Sequence, residues 1–263
     1  MIKSLPSHPD RVSPAKPQRG FSLIEIAVTL FILTLVLGAL LMPLATQVEE
    51  RQVRETERII NEMMEALVGY AISQTTPRLP CPDLASGGTG AANDTANDGI
   101  EDYNPATGVC ATTDGNIPWA TLGVNATDFW GNRYRYLAMA AFTNRSPATV
   151  MSLSSASGTL IKVCAAAPTS ATCGGTTYVA DNVPAVIISH GRNGYGAING
   201  SSNTQISTAG ASNHEIENAG GNYPNSVVSK TRSDATGQEF DDIVVWLSPN
   251  VLFNRLVAAN KLP

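Results

Sequence analysis

Between Phe21 and Leu44 the chain is almost wholly apolar, and Glu25 is the only ionisable side chain in that stretch. About 20 such residues form a helix long enough to cross a bilayer. One long N-terminal helix is therefore the first constraint on the fold. A carboxylate at the centre of hydrocarbon costs about 2.5–3.5 kcal/mol on insertion scales. Glu25 must then either have a partner or lie near the interface, where it gains from the helix dipole.

The segment before the run is basic. Lys3, Arg11, Lys16 and Arg19 stand against Asp10, a charge of +3, so the rest of a chain with net charge −5 carries −8. A basic leader stays on the cytoplasmic side and directs the chain beyond the apolar helix across the membrane. An ordinary secretory signal has an apolar region of about 7–15 residues with a small-residue cleavage site after it. Here the run is longer, and the small residue at a plausible junction, Gly20, precedes it. A plain signal anchor accounts for the length but not for "RGF" or for Glu25.

The stretch "RGFSLIEIAVTLFIL" resembles the class III signal of type IV prepilins and type II secretion pseudopilins. The resemblance implies a membrane peptidase that cuts after Gly20 and methylates the new amine of Phe21. It places Glu25 at the fifth mature position. In a filament, Glu25 of one subunit would neutralise the Phe21 amine of its neighbour and fix axial register in a low dielectric. The partners implied are other pilin or pseudopilin subunits, the prepilin peptidase and an inner-membrane assembly platform. The location implied is the bacterial inner membrane, single-pass, with a periplasmic body able to move into a periplasmic or surface filament.

Helical character outlasts the apolar run. "QVEERQVRETERIINEMMEALVGYAISQ" has no Pro, and Ile60, Met63, Met64, Leu67 and Ala71 recur at helical spacing. Glu50 precedes Arg54 by four residues, a favourable helical pair. One helix from Phe21 to about Ser73 would be roughly 80 Å long, with a kink expected at Pro43. The organisation expected is a leader over 1–20, a transmembrane or filament-core helix over 21–44, an amphipathic stalk over 45–76 and a β-rich periplasmic or extracellular domain over 77–263.

Pro77, Pro80 and Pro82 end the helix. A Gly/Asn/Asp-rich loop is expected over 83–118, and strands over 133–142, 148–153, 159–165, 177–180, 184–190 and 242–247. Residues 191–205 are expected to form a flexible loop. Ser248 and Pro249 look like the N-cap and first position of a terminal helix. The fold class is α+β, a long helix packed on an antiparallel sheet with large loops, which is also what the pilin resemblance implies. "DFWGNRYRY" (128–136) is similar to a segment of the major pseudopilin and reads locally as a turn with Trp130 buried.

Cys81, Cys110, Cys164 and Cys173 are an even set in an exported chain, which suggests two disulfides. Of three pairings, Cys81–Cys110 with Cys164–Cys173 is the most local and is favoured. No CxxC occurs, and His190 and His214 have no ligand spacing to a cysteine, so a thiolate zinc site is disfavoured. Hydrolase, P-loop, dinucleotide and HExxH signatures are missing from the sequence. Ser189 and His190 are only neighbours, which is not triad geometry, and no catalytic residue or organic cofactor is assigned. Calcium is the one cofactor the ligand types suit. Asp94, Asn97, Asp98, Glu101 and Asp102 surround Gly99 in "ANDTANDGIED", while Asp241 and Asp242 form a second acidic pair. An acidic body argues against nucleic acid as partner.

The resemblance implies a non-enzymatic filament subunit, expected to be a low-abundance pseudopilin or minor pilin. The rival readings are an adhesive or DNA-uptake minor pilin, and a membrane-anchored periplasmic binding domain that never assembles.

Overall fold

The computed structural model describes residues 20–88, 94–145, 151, 161–169, 173, 177–221, 223 and 225–262, without the side chains of 39–46. The leader residues 1–19, the strand expected at 148–153 (Met151 excepted) and the first residues of the one expected at 159–165 lie outside this description. The chain divides into two units, residues 1–49 and 50–263, and each is treated by itself. Helix α1, Leu23–Ser73, begins in the first unit and ends in the second. Its helical assignment continues through Pro43.

In the first unit, Phe21, Leu23, Ile24 and the apolar residues on to Leu37 are exposed. Within the helix two hydroxyls interrupt that surface, and both are satisfied by it: Thr29 Oγ1 donates to the Ile26 carbonyl at 2.9 Å and Thr34 Oγ1 to that of Phe31 at 2.8 Å. Such back-bonding lets Thr sit in apolar surroundings without a partner from outside. Among the described residues no helix is long and apolar enough to cross a membrane; the run expected to do so continues into 39–46, beyond the side chains described.

In the second unit, α1 is amphipathic. Ile59, Ile60, Met63, Met64, Leu67, Val68 and Ala71 are buried, at the i, i+3, i+4 spacing of one helix face. Each fully buried large side chain contributes about 1.5–3 kcal/mol. They join a core with Ile117, Tyr134, Tyr136, Leu137 and the strand residues Val186, Ile187 and Ile188. The opposite face carries the ion pairs Glu50–Arg54, Glu55–Arg58 and Arg58–Glu62.

The main sheet is antiparallel and four-stranded, in the order β1 (Asp114–Asn116), β2 (Arg135–Ala138), β5 (Ala185–Ser189) and β7 (Ile243–Leu247). Register is set by pairs such as Gly115 with Tyr136, Tyr136 with Ile187, and Ile187 with Val245. Every residue of β5 is buried, as a central strand covered on both faces requires. A second sheet, not expected from the sequence, holds β4 (Tyr178–Val183), β3 (Ile161–Cys164) and β6 (Ser226–Val228), with β3 antiparallel to β4 and parallel to β6. Helix α5, Pro249–Ala258, caps the chain's end; Ser248 is its N-cap by backbone conformation, without a side-chain hydrogen bond. Leu252, Phe253 and Leu256 fix it to the core.

Several boundaries differ from the expectation. The run 133–142 is strand only to Ala138; Ala140–Thr143 turns into the short helix α3, and Leu79 donates its N–H to the Phe142 carbonyl there. Helices α2 (Trp119–Leu122) and α4 (Asn213–Asn218) add to the expected elements. Residues 191–198 are not a loose loop: Arg133 donates to the Ile198 carbonyl, Ile206 to that of Ala197, and Gly191, Gly194, Gly196 and Ala197 are buried. Only 201–205 are exposed throughout. Trp130 is half-buried; the buried member of "DFWGN" is Asp128, which accepts N–H bonds from Trp130 and Asn132 and the hydroxyl of Ser189.

Candidate functional site

Three places carry polar chemistry. The first is the N-terminal junction. Gly20 and Phe21 precede the helix and are exposed, Phe21 at 79%. Ser22 starts the hydrogen-bonding, its carbonyl accepting from the N–H groups of Glu25 and Ile26. Glu25 therefore lies in the first turn, at the positive end of the helix.

The second place is the loop closed by the disulfide Cys81–Cys110; Cys164–Cys173 is the other bridge. The five candidate ligands in this loop have separate roles. Glu101 is buried and bound by Arg78, Arg145, Tyr70 Oη and the Cys81 N–H. Asn97 sits at positive φ (62°), donates to the Ala85 carbonyl and accepts from Asn116. Asp98 is exposed and accepts from the Ile100 N–H. Asp94 is nearly buried. Asp102 is buried, with Oδ2 accepting from the Leu84 N–H and Oδ1 without a partner. Asp83, outside the acidic motif, lies buried beside them, its Oδ1 also unpartnered. Burial, then the charge of Asp102, pushes the Asp83 carboxyl up to about 7. No three of these acids bring their oxygens together as one ion would need.

The third place does. Among the described residues, the group whose ligand atoms all lie within 4.8 Å of one another is Glu215, Asp241 and Asp242. Glu215 comes from α4, whose capping box fixes it: Ser212 Oγ accepts from the Glu215 N–H, and the Glu215 carboxylate accepts from the Ser212 N–H. Asp241 and Asp242 come from the segment entering β7. Asn193 joins the two sides, its backbone N–H donating to Asp241 Oδ2 at 3.0 Å and its side-chain amide to Glu215 Oε1 at 2.6 Å. Asn218 donates to Asp242 Oδ2 at 2.8 Å. That leaves Asp241 Oδ1 and Asp242 Oδ1 buried without hydrogen-bond partners.

Gly191 makes the approach possible. It has φ +59°, and a Cβ there would lie 2.4 Å from the Asp241 carbonyl oxygen and 2.6 Å from its Oδ1. Burial, then neighbouring acids, raises both Glu215 and Asp241, the latter to about 6. Three carboxylates with two unsatisfied oxygens form an all-oxygen donor set, the chemistry of a hard cation such as calcium. The pair Asp241–Asp242 is visible in the sequence. Glu215 is not part of any acidic cluster there, although Ser212-x-x-Glu215 is a readable capping-box signal.

Ser189 and His190 take no catalytic arrangement. Ser189 donates to buried Asp128, while His190 is fully buried with Nδ1 3.7 Å from Asp242 Oδ1.

Residues 15–41 match the family model of the prokaryotic N-terminal methylation motif. This motif is the signature of type IV pilin and pseudopilin prepilin-type signals. No curated protein and no solved structure matches the chain.

Proposed function

We propose, from the prepilin-type signal at residues 15–41, that the chain is a structural subunit of a type IV pilus-like or type II secretion filament. It is cut after Gly20, methylated on Phe21 and assembled through α1. The match to the methylation motif carries this reading. Two structural observations support it. The apolar side chains from Phe21 to Leu37 are exposed, so they remain available to lipid before assembly and to neighbouring helices after it. The threonines in that stretch are satisfied internally, and Glu25 is the one ionisable side chain there, so its charge demands a partner. The free amine created at Phe21 supplies one, in a medium where an unpaired charge is costly.

The leader stays cytoplasmic, the helix over 21–44 anchors in the inner membrane, and the body over 77–263 lies in the periplasm. The size of that body favours a low-abundance pseudopilin or minor pilin, because a bulky head around every subunit crowds a tight helical filament. An adhesive or DNA-uptake minor pilin stays within this class. An anchored periplasmic domain that never assembles does not, and Glu25→Ala separates the two. The variant should insert normally and fail to enter sheared or secreted filaments. Absence of the wild-type chain from such filaments would leave the anchored-domain reading in its place, and incorporation of Glu25→Ala at the wild-type level would remove Glu25 from the account of assembly.

We also infer that the body holds a calcium-class cation at Glu215, Asp241 and Asp242 rather than in the 94–102 turn. The two buried, unpartnered aspartate oxygens support it. Such an ion would join α4 to the start of β7 and fix the body's surface for packing against other subunits.

A further inference from the structure

A polar cavity lies in the body next to the three carboxylates, which it meets through His190, 3.7 Å from Asp242. It encloses about 110 Å³ and is lined by Asn116 of β1, Arg133, Arg135 and His190, with Ala197 and Ile198 among its apolar walls. Ligand pockets for drug-sized molecules begin near 300 Å³, so the occupant is limited to a few heavy atoms.

The two arginines differ in how they are satisfied. Arg135 is neutralised: its Nε and Nη2 hold both carboxylate oxygens of Asp114 at 2.8 and 2.6 Å, and Nη1 donates to the Asn218 carbonyl. Asp114 also lines the cavity, but its charge is spent on that pair. Arg133 is only 8% exposed. Its guanidinium carbon lies 3.9 Å over the Trp119 ring, and Nη2 donates to Asn203 Oδ1 at 2.9 Å. Its Nε is buried and has no acceptor, and among the described residues no carboxylate forms an ion pair with it. Burial disfavours the charge, and the acid that acts on it, Asp83, is itself pushed up to about 7. His190 adds two buried ring nitrogens without hydrogen-bond partners; Nδ1 lies 3.7 Å from Asp242 Oδ1, which leaves Nε2 as the nitrogen with no polar neighbour. A buried donor without an acceptor costs about 1–3 kcal/mol, and more when charged. The cavity thus combines a guanidinium without a paired carboxylate and an unmet imidazole Nε2 with alanine and isoleucine walls.

We propose that this cavity binds a short aliphatic monocarboxylate of two to four carbons. The carboxylate is held by Arg133 and His190, and the alkyl tail lies against Ala197 and Ile198. The donors supply the charge-assisted hydrogen bonds that a carboxylate accepts. The apolar walls exclude an ion hydrated on all sides, such as sulfate. The site does not depend on whether the chain enters a filament.

The test is calorimetric titration of sodium butyrate into the full-length protein in detergent at pH 6, with butyramide and sodium chloride as parallel titrants. Saturable one-site binding of butyrate is expected, with neither control binding. Arg133→Met should weaken butyrate at least tenfold. Ala85→Leu, at a half-buried lining position, should do the same by filling the cavity, and its unchanged melting temperature would show that the fold is intact. Absence of saturable butyrate binding by the wild type would overturn the proposal. So would equal binding of butyramide or chloride, or butyrate binding that Ala85→Leu leaves intact.

Discussion

Arg78 grips both carboxylate oxygens of Glu101, with Nη1 2.8 Å from Oε2 and Nη2 2.9 Å from Oε1, and both side chains are nearly buried. Arg78 lies just beyond the end of α1 and Glu101 lies inside the loop closed by Cys81–Cys110. Tyr70, on the last turns of α1, adds its hydroxyl at 2.8 Å from Glu101 Oε1. The pair therefore ties helix to loop. Removing one member of a buried pair strands the other charge and costs about 3–5 kcal/mol. Glu101→Ala should lower the melting temperature of the full chain by roughly 10 °C, since about 2–4 °C is lost per kcal/mol at this size. An unchanged melting curve would show that the pair is only decorative.

The buried acids make opposite demands on pH. Burial alone would raise Glu101, but Arg78, by hydrogen bonds and charge, with help from Tyr70, holds it below its ordinary 4.5. Its contribution is present above the unfolded value and lost as pH falls through the folded one. Asp83 and Asp102 are raised by burial above all, to about 7 and about 6. The folded state keeps protons there that the unfolded chain releases near 3.8, so stability declines as pH climbs from about 4 to 7. Urea midpoints measured across pH should be highest at about pH 4 and fall toward about pH 7. Asp83→Asn should flatten the fall on the alkaline side, and a profile unaltered by that change would contradict this assignment.

Leu67 is fully buried on the face of α1 that meets the sheet. Leu67→Ala should cost about 2–5 kcal/mol. Asn61→Ala, exposed on the same helix, should stay within about 0.5 kcal/mol. Equal effects in denaturant titrations would mean that this face of α1 does not build the core.

Calcium should raise the melting temperature relative to EDTA-treated protein. A ligand at about one hundred times its Kd stabilises by about 2.7 kcal/mol, which corresponds to roughly 5–10 °C here. Asp241→Asn combined with Asp242→Asn should abolish the shift, while Asp98→Asn should leave it whole. The reverse pattern would move the ion to the 94–102 turn.

How far the sequence is legible depends on how local each signal is. Helix α1 is legible because apolar residues recur at helical spacing from Ile59 to Ala71 without a proline. β5 and β7 are legible as β-branched runs, and α5 from Ser248–Pro249. β1, with the sequence Asp-Gly-Asn, has no strand character of its own and exists because it pairs with β2. β6 is three residues long and is held by β3 from far along the chain. The turn at 94–102 draws attention through composition, yet its Glu101 is consumed by two arginines that lie outside the motif. The acids that do converge, Glu215 with Asp241 and Asp242, are well separated in sequence, and only the fold brings them within 4.8 Å.

Processing after Gly20 is read straight from the mass of the N-terminal peptide. Protein from the native host, compared with and without its prepilin peptidase, should begin at N-methylated Phe21 in the first strain and retain the leader in the second. A chain that still carries the leader in both strains would contradict the filament reading and leave an anchored domain whose role lies in its acidic body.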